Sequence, residues 1–267
     1  MKMEPPKYKY IYGPVSSWRL GRSLGIDPIS SFQKTCTFDC VYCQSGRTEV
    51  FSTRREVFVP TEALIQELNS LPEVSIDYIT FAGNGEPTLA KNLGGMIRAV
   101  KIIRREKIAV ITNSSLIDRK DVVEDLLLAD LVEAKLDASS AESFKAVNRP
   151  MPEILWEDMV EGLKAFRKVF HGYLTLQVMF MASNKACADA LAKIALQIAP
   201  NEIEINTPLR ACAVKPLSIE EITEITAIFR GICGDGIKVR NVYEVKREKI
   251  QPFCQPSTER RRGKENS

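Results

Sequence analysis

IDYITFAGNGEP, residues 76–87, sets a β-branched, aromatic run against a glycine-bearing turn and an acid at a helix start. A short apolar run bounded by turn residues reads as a buried strand, and the helical periodicity after it reads as the crossover of a βα unit. The same alternation repeats downstream. Strands are expected at 76–82 (IDYITFA), 107–112 (KIAVIT), 131–137 (LVEAKLD), 173–180 (YLTLQVMF), 202–206 (EIEIN) and 237–243 (IKVRNVY), with helices between them. Leu155, Met159, Leu163, Phe166 and Phe170 form one apolar stripe, and Ile222, Ile225 and Phe229 form another behind a Ser218/Glu221 capping box. Upstream, Leu64, Ile65, Leu68 and Leu71 mark a helix over 61–71 that follows a first strand expected near 26–34. About six βα units are too few for a closed eight-stranded barrel, so the expected fold is α/β, an open partial (β/α)6 barrel with a parallel sheet and outer helices. Such folds place their chemistry at the carboxyl ends of the strands.

The chain has 267 residues and 45% hydrophobic residues, enough for one large domain. The sequence divides into an N-terminal extension (1–25), a barrel domain (26–245) and a basic C-terminal tail (246–267). The tail ends in STERRRGKENS, which lacks periodicity and is expected to be disordered. Net charge is only +3, but residues 1–60 carry nine Lys/Arg against five Asp/Glu, and residues 238–267 carry nine against four. Two basic ends around an acidic middle fit either plain solubility or an anionic substrate near the termini. Seven cysteines, with no cleavable apolar leader and no apolar run near 20 residues, point to a reducing cytoplasm without a membrane span.

CTFDCVYC spaces Cys36, Cys40 and Cys43 on one compact loop, and the next cysteine is Cys187. Thiolates suit iron–sulfur centres, and a cluster that only moves electrons takes four of them. Three leave one iron open to a reacting ligand. A zinc site completed by a distant cysteine or by His171, the single histidine, is the alternative, although the paired second half of a structural zinc motif is missing. Cys187, Cys212, Cys233 and Cys254 are widely spaced; Cys212 follows a strand end and could face the cavity.

The loop resembles the CxxxCxxC motif of the radical S-adenosylmethionine (SAM) superfamily, including the aromatic Tyr42 before the last cysteine. YGPVSSWRLGRSLGIDP, GNGEPT, LDA (136–138) and VNRP (147–150) further resemble an uncharacterised group of iron–sulfur oxidoreductases related to the wybutosine-forming tRNA enzymes. Residues 1–35 contain no cysteine for the additional cluster of the wybutosine enzymes.

The resemblance implies a [4Fe-4S] cluster on Cys36, Cys40 and Cys43 whose open iron chelates SAM. It implies a low-potential electron donor of flavodoxin or ferredoxin type, and hydrogen abstraction from an RNA nucleoside or small molecule. A radical-activating enzyme for a protein partner and a non-catalytic metal-binding module are the rival classes. Tyr42 would lie near the adenine, while Gly83, Asn84, Gly85 and Glu86 would meet the cofactor's ammonium. Asn113, Lys135, Asp137, Ser139 and Asn206 stand at later strand ends, where ribose hydroxyls or the methionine carboxylate would bind. Arg19, Arg22, Arg149 and Arg210 are the substrate-side candidates; surface or loop-anchoring roles fit them equally.

Overall fold

Strand formation follows the apolar runs closely. The computed structural model describes residues 8–245 and 250–262. Its strands are β1 (Ile11–Ser17), β2 (Gly21–Ile26), β3 (Thr35–Cys36), β4 (Val50–Phe51), β5 (Tyr78–Phe81), β6 (Lys107–Thr112), β7 (Leu131–Lys135), β8 (Tyr173–Met179), β9 (Glu202–Asn206) and β10 (Lys238–Asn241). Its helices are α1 (Thr61–Asn69), α2 (Leu93–Ile103), α3 (Lys120–Leu126), α4 (Ala141–Val147), α5 (Trp156–Val169), α6 (Ala188–Ile198), α7 (Ile219–Cys233) and α8 (Gln255–Arg262).

Eight strands form one sheet in the order β1-β2-β5-β6-β7-β8-β9-β10. Every neighbouring pair is parallel except β1–β2, which is antiparallel. The sheet curls into a half-barrel with helices outside. Alternation along each strand assigns the two faces. Ile79, Phe81, Ile108, Val110, Val132, Ala134, Leu174, Leu176, Ile203 and Ile205 are fully buried in the core under the helices, each such burial being worth roughly 1.5–3 kcal/mol for the larger side chains. Thr80, Ile111, Lys135 and Met179 line a cavity on the concave face. The Ser218/Glu221 capping box forms as expected at the start of α7. In α5, Met159, Leu163 and Phe166 are buried, but Leu155, outside the first turn at the N-cap, is half exposed.

Two sequence expectations are corrected. The strand placed near 26–34 ends at Ile26, because the Asp27 carboxylate accepts the backbone N–H groups of Ile29 (3.2 Å) and Ser30 (2.9 Å) and turns the chain. The strand itself occupies Gly21–Ile26, so the hairpin β1–β2, read as an extension, belongs to the sheet. The tail is also partly ordered. α8 packs beside β1, and Arg261, 3% exposed, donates to Asp27 at 2.9 Å. That ion pair joins positions far apart in the chain, so no local pattern announces it. Residues 246–249 and 263–267 of the expected tail lie outside the described residues. Among the described residues no helix is long and apolar enough to cross a membrane.

Candidate functional site

The cysteine loop is held at the carboxyl edge of the sheet by backbone pairing on two sides. β3 pairs in parallel with β4, which fixes Cys36. On the other side Asp39 and Val41 donate to the carbonyls of Asn148 (3.1 Å) and Val147 (3.0 Å), and Met151 donates to that of Thr37 (3.1 Å). The VNRP segment is thus a splint for the loop. Arg149, at φ +47°, is half exposed and sits 3.8 Å from Asp39 in that splint, which gives it an anchoring place rather than one on the cavity wall.

Each of the three sulfurs receives a side-chain N–H donor. Asn113 Nδ2 lies 3.6 Å from Cys36 Sγ, Asn148 Nδ2 lies 3.5 Å from Cys40 Sγ, and Lys34 Nζ lies 3.0 Å from Cys43 Sγ. Donors aimed at sulfur favour the thiolate, whereas burial opposes it. Burial wins for the bare thiols and pushes Cys36 up to about 11 and Cys40 to about 12. Buried thiols of this kind ionise when a bound metal compensates their charge, so the donor set fits an iron–sulfur group. Burial lowers Lys34, but the Cys43 and Cys36 thiolates outweigh it and leave the ammonium above its usual range.

A cavity of about 160 Å³ opens beside the sulfurs, lined by all three cysteines together with Tyr42, Gly83, Gly85, Glu86, Asn113 and Lys135. Gly83 (φ +155°) and Gly85 (φ +150°) have no room for a side chain: a Cβ would fall 2.4 Å from the Asp27 carboxyl carbon and 2.1 Å from the Thr35 carbonyl oxygen. The absence of side chains leaves the turn's backbone open to the cavity. Asn84 is buried, and its Oδ1 meets no hydrogen-bond partner among the described residues.

Glu86 is fully buried and braces two strand ends. It accepts from Thr88 N (3.1 Å), Thr88 Oγ1 (2.7 Å), Thr112 Oγ1 (2.6 Å) and Asn113 N (2.7 Å). Burial nevertheless pushes its carboxyl up. Three of these donors fall on Oε1, so Oε2 retains capacity for one more.

Asp137 is likewise occupied, accepting from the Tyr42 hydroxyl, Asn148 Nδ2 (3.1 Å) and Met179 N (2.8 Å). Burial and the Asp137 charge hold the Tyr42 phenol well above its usual range, and Lys135 lies over the Tyr42 ring at 4.9 Å while donating to Gln177 (2.8 Å).

A second cavity of about 250 Å³ adjoins the first and holds Arg19, Lys135, Arg210, Arg261 and Arg262 in its wall. Asn206 lines a neighbouring recess with Arg19 and Arg210. Arg210 bonds Gln44 at 2.8 Å and the Arg262 carbonyl at 2.9 Å. Besides Arg149, two further expected site residues stand elsewhere. Arg22 pairs with Asp77 (2.9 Å) at the amino end of β5, opposite the cysteines, because β2 enters the sheet there. Ser139 lines neither cavity; its backbone N–H is taken by Ser143 Oγ at 3.1 Å.

Sequence reading missed Lys34, Thr37 and Asn148. Asn148 stands inside VNRP beside the charged Arg149, and Lys34 stands two residues before Cys36 with nothing in the spacing to mark it.

Residues 30–191 match the family model of the Radical SAM superfamily. The chain belongs to that superfamily. A UPF0026 protein of Synechocystis sp. is 39% identical over 211 residues, which cover 79% of this chain and 78% of that one. Among solved structures, Streptococcus suis SuiB bound to precursor peptide SuiA superposes with a TM-score of 0.63 at 14% identity, over 83% of this chain and 49% of that one. This chain therefore spans about half of SuiB. Archaeal TYW1 superposes with a TM-score of 0.56 at 15% identity, over 79% and 72% of the two chains. At such identities the likeness is one of fold. Membership in the radical SAM superfamily makes the protein an enzyme of SAM-dependent radical chemistry that uses an iron–sulfur cluster.

Proposed function

We propose that Cys36, Cys40 and Cys43 hold a [4Fe-4S] cluster, and that the protein uses it to abstract hydrogen from an anionic substrate, an RNA nucleoside or a small molecule. The observation that carries this reading is three cysteine sulfurs, one buried and two partly buried, each with its own side-chain donor, around a cavity walled by the Gly83–Glu86 turn. Among the described residues no three Cys, His, Asp or Glu side chains converge as one metal ion requires. Three cysteines on one loop suit a cluster with one iron left open, and the loop lacks the paired second half of a structural zinc motif. When bound, such a cluster supplies the electron, drawn from a flavodoxin- or ferredoxin-type donor, that cleaves SAM reductively to methionine and a 5′-deoxyadenosyl radical.

The chain's own residues bind and orient. The open backbone of Gly83–Glu86 and the spare capacity of Glu86 Oε2 suit an ammonium. Lys135, whose Nζ lies over the Tyr42 ring and lines the cavity, suits the methionine carboxylate, and the Tyr42 ring suits an adenine. Arg19, Arg210 and Asn206, with Arg261 and Arg262 from α8, wall the adjoining space where a substrate's anionic group would sit.

Anaerobic reconstitution tests the cluster: about four iron and four sulfide per chain are expected. Serine at Cys36, Cys40 or Cys43 is expected to remove both the cluster and 5′-deoxyadenosine formation; turnover in those variants overturns the site. Retention on RNA that falls steeply with salt supports a nucleic-acid substrate, because phosphate contacts release counterions. Salt-insensitive pairing with a protein instead supports a radical-activating role.

A further inference from the structure

The three side-chain donors that reach the cysteine sulfurs differ in charge. Asn113 and Asn148 offer neutral amides, while Lys34 offers an ammonium, and at 3.0 Å it is the shortest of the three contacts. Lys34 is 4% exposed. Its other hydrogen bond goes to the Gly46 carbonyl at 2.7 Å, and among the described residues no carboxylate lies within ion-pairing distance of Nζ. Its backbone is pinned as well, since the Lys34 carbonyl accepts from Glu49 N (3.1 Å) and Val50 N (3.0 Å). A buried cation without a carboxylate is costly unless some other negative charge stands beside it. In the cluster assigned above, that negative charge is the thiolate trio, and Lys34 Nζ already stands 3.0 Å from one of its sulfurs.

We propose that Lys34 is a positioning residue that sets the reduction potential of the cluster through its charge and its hydrogen bond to Cys43 Sγ. The proposal rests on the cluster assignment made above. A cubane core of charge 2+ with three thiolates carries a net −1 and becomes −2 on taking an electron. A fixed cation beside it stabilises the more negative form more strongly, so Lys34 raises the potential above the value the cysteines alone would give. Outer-shell donors to metal-bound sulfur are a known lever on cluster potentials. Placing the charged donor on Cys43, while Cys36 and Cys40 receive neutral amides, also makes the field asymmetric. That sulfur borders both cavities, so the cation lies on the side where cofactor and substrate would enter.

The test is an anaerobic redox titration of the reconstituted protein, followed by the electron paramagnetic resonance signal of the reduced cluster. Lys34→Met is expected to make reduction at least tenfold less favourable, a shift of about 59 mV or more to lower potential for one electron. Lys34→Arg, which keeps the charge and the donor, is expected to stay near wild type, and Lys34→Gln, a neutral donor, to fall between. Equal potentials for wild type and Lys34→Met overturn the proposal, even if the variant turns over more slowly. Should Lys34→Met fail to hold iron, Lys34→Gln decides: a lowered potential supports the charge effect, and a wild-type potential reduces Lys34 to a stitch between Cys43 and Gly46. Failure of the wild-type protein to assemble any cluster is a different result and overturns the cluster assignment itself.

Discussion

The two ends of the concave face are both polar, yet they are polar in opposite ways. At the amino end Glu133, Glu202 and Glu204 point inward, each at most 2% exposed. They are answered by protein: Arg19 reaches Glu133 at 2.8 Å, Arg240 pairs with Glu202 and lies 3.1 Å from Glu204, Gln177 donates to Glu133 at 2.8 Å, and Tyr173 donates to Glu202 at 2.9 Å. At the carboxyl end the sulfurs receive a side-chain donor each, and a cavity remains in front of them. Strand alternation supplies inward side chains at both ends alike. What separates a plug from a site is whether the inward groups find their partners within the chain.

The sharpest way to break that contrast is at Gly85. Alanine there would drive Cβ into the Thr35 carbonyl and demand φ +150° of a residue with a side chain, so either the turn or the cysteine strand must move. We expect a loss of about 2 kcal/mol or more in denaturant unfolding and most of the reconstituted iron. An unchanged iron content would mean that the turn does not support the cysteine strand.

The plug is tested by pH. Burial, reinforced by Glu133, pushes Glu204 up to about 8, although Arg19 and Arg240 pull the other way. A carboxyl raised on folding holds its proton in the native state. Its contribution to stability is therefore complete below the ordinary glutamate range and is lost as pH climbs toward about 8. Glu204→Gln is expected to flatten the decline of the melting temperature between pH 5 and pH 8.5 while cluster assembly persists. An identical slope in both proteins would remove Glu204 as the cause.

The smallest effect is expected at Arg22. It pairs with Asp77 on the surface at the amino end, and the guanidinium holds Asp77 below its usual range. Arg22→Ala should cost no more than about 1 kcal/mol and leave SAM cleavage unchanged. A large loss of turnover would restore Arg22 to the site.

The sequence carried the parallel strands well where apolar residues run together, as in KIAVIT, or alternate with polar ones, as in EIEIN. It hid β2, because GRSLGI mixes glycine and polar residues and its strand character comes from the partners β1 and β5. It hid α8 for a related reason: QPSTERRR has no apolar stripe, and its anchor is the Arg261–Asp27 pair. At the site, residue type was legible and occupancy was not. Cys36, Cys40 and Cys43 declare themselves by spacing, but nothing in GNGEP tells that Glu86 is mostly spent on Thr88, Thr112 and Asn113. Asp137 and Arg149 follow the same rule, since a side chain's free valence depends on neighbours brought in from distant strands.

The open edges of the sheet meet at a seam of a different kind. Arg240, on the outermost strand, donates to the carbonyls of Trp18 (3.3 Å) and Arg19 (3.2 Å) in the β1–β2 turn, and the guanidinium groups of Arg19 and Arg240 lie 5.6 and 5.5 Å from the Trp18 ring centre. A barrel zipped shut by strand pairing has a bore fixed by strand number and stagger. Here side chains, not ladder rungs, tie the two edges together, so the half-barrel keeps its open side without pairing its edge strands.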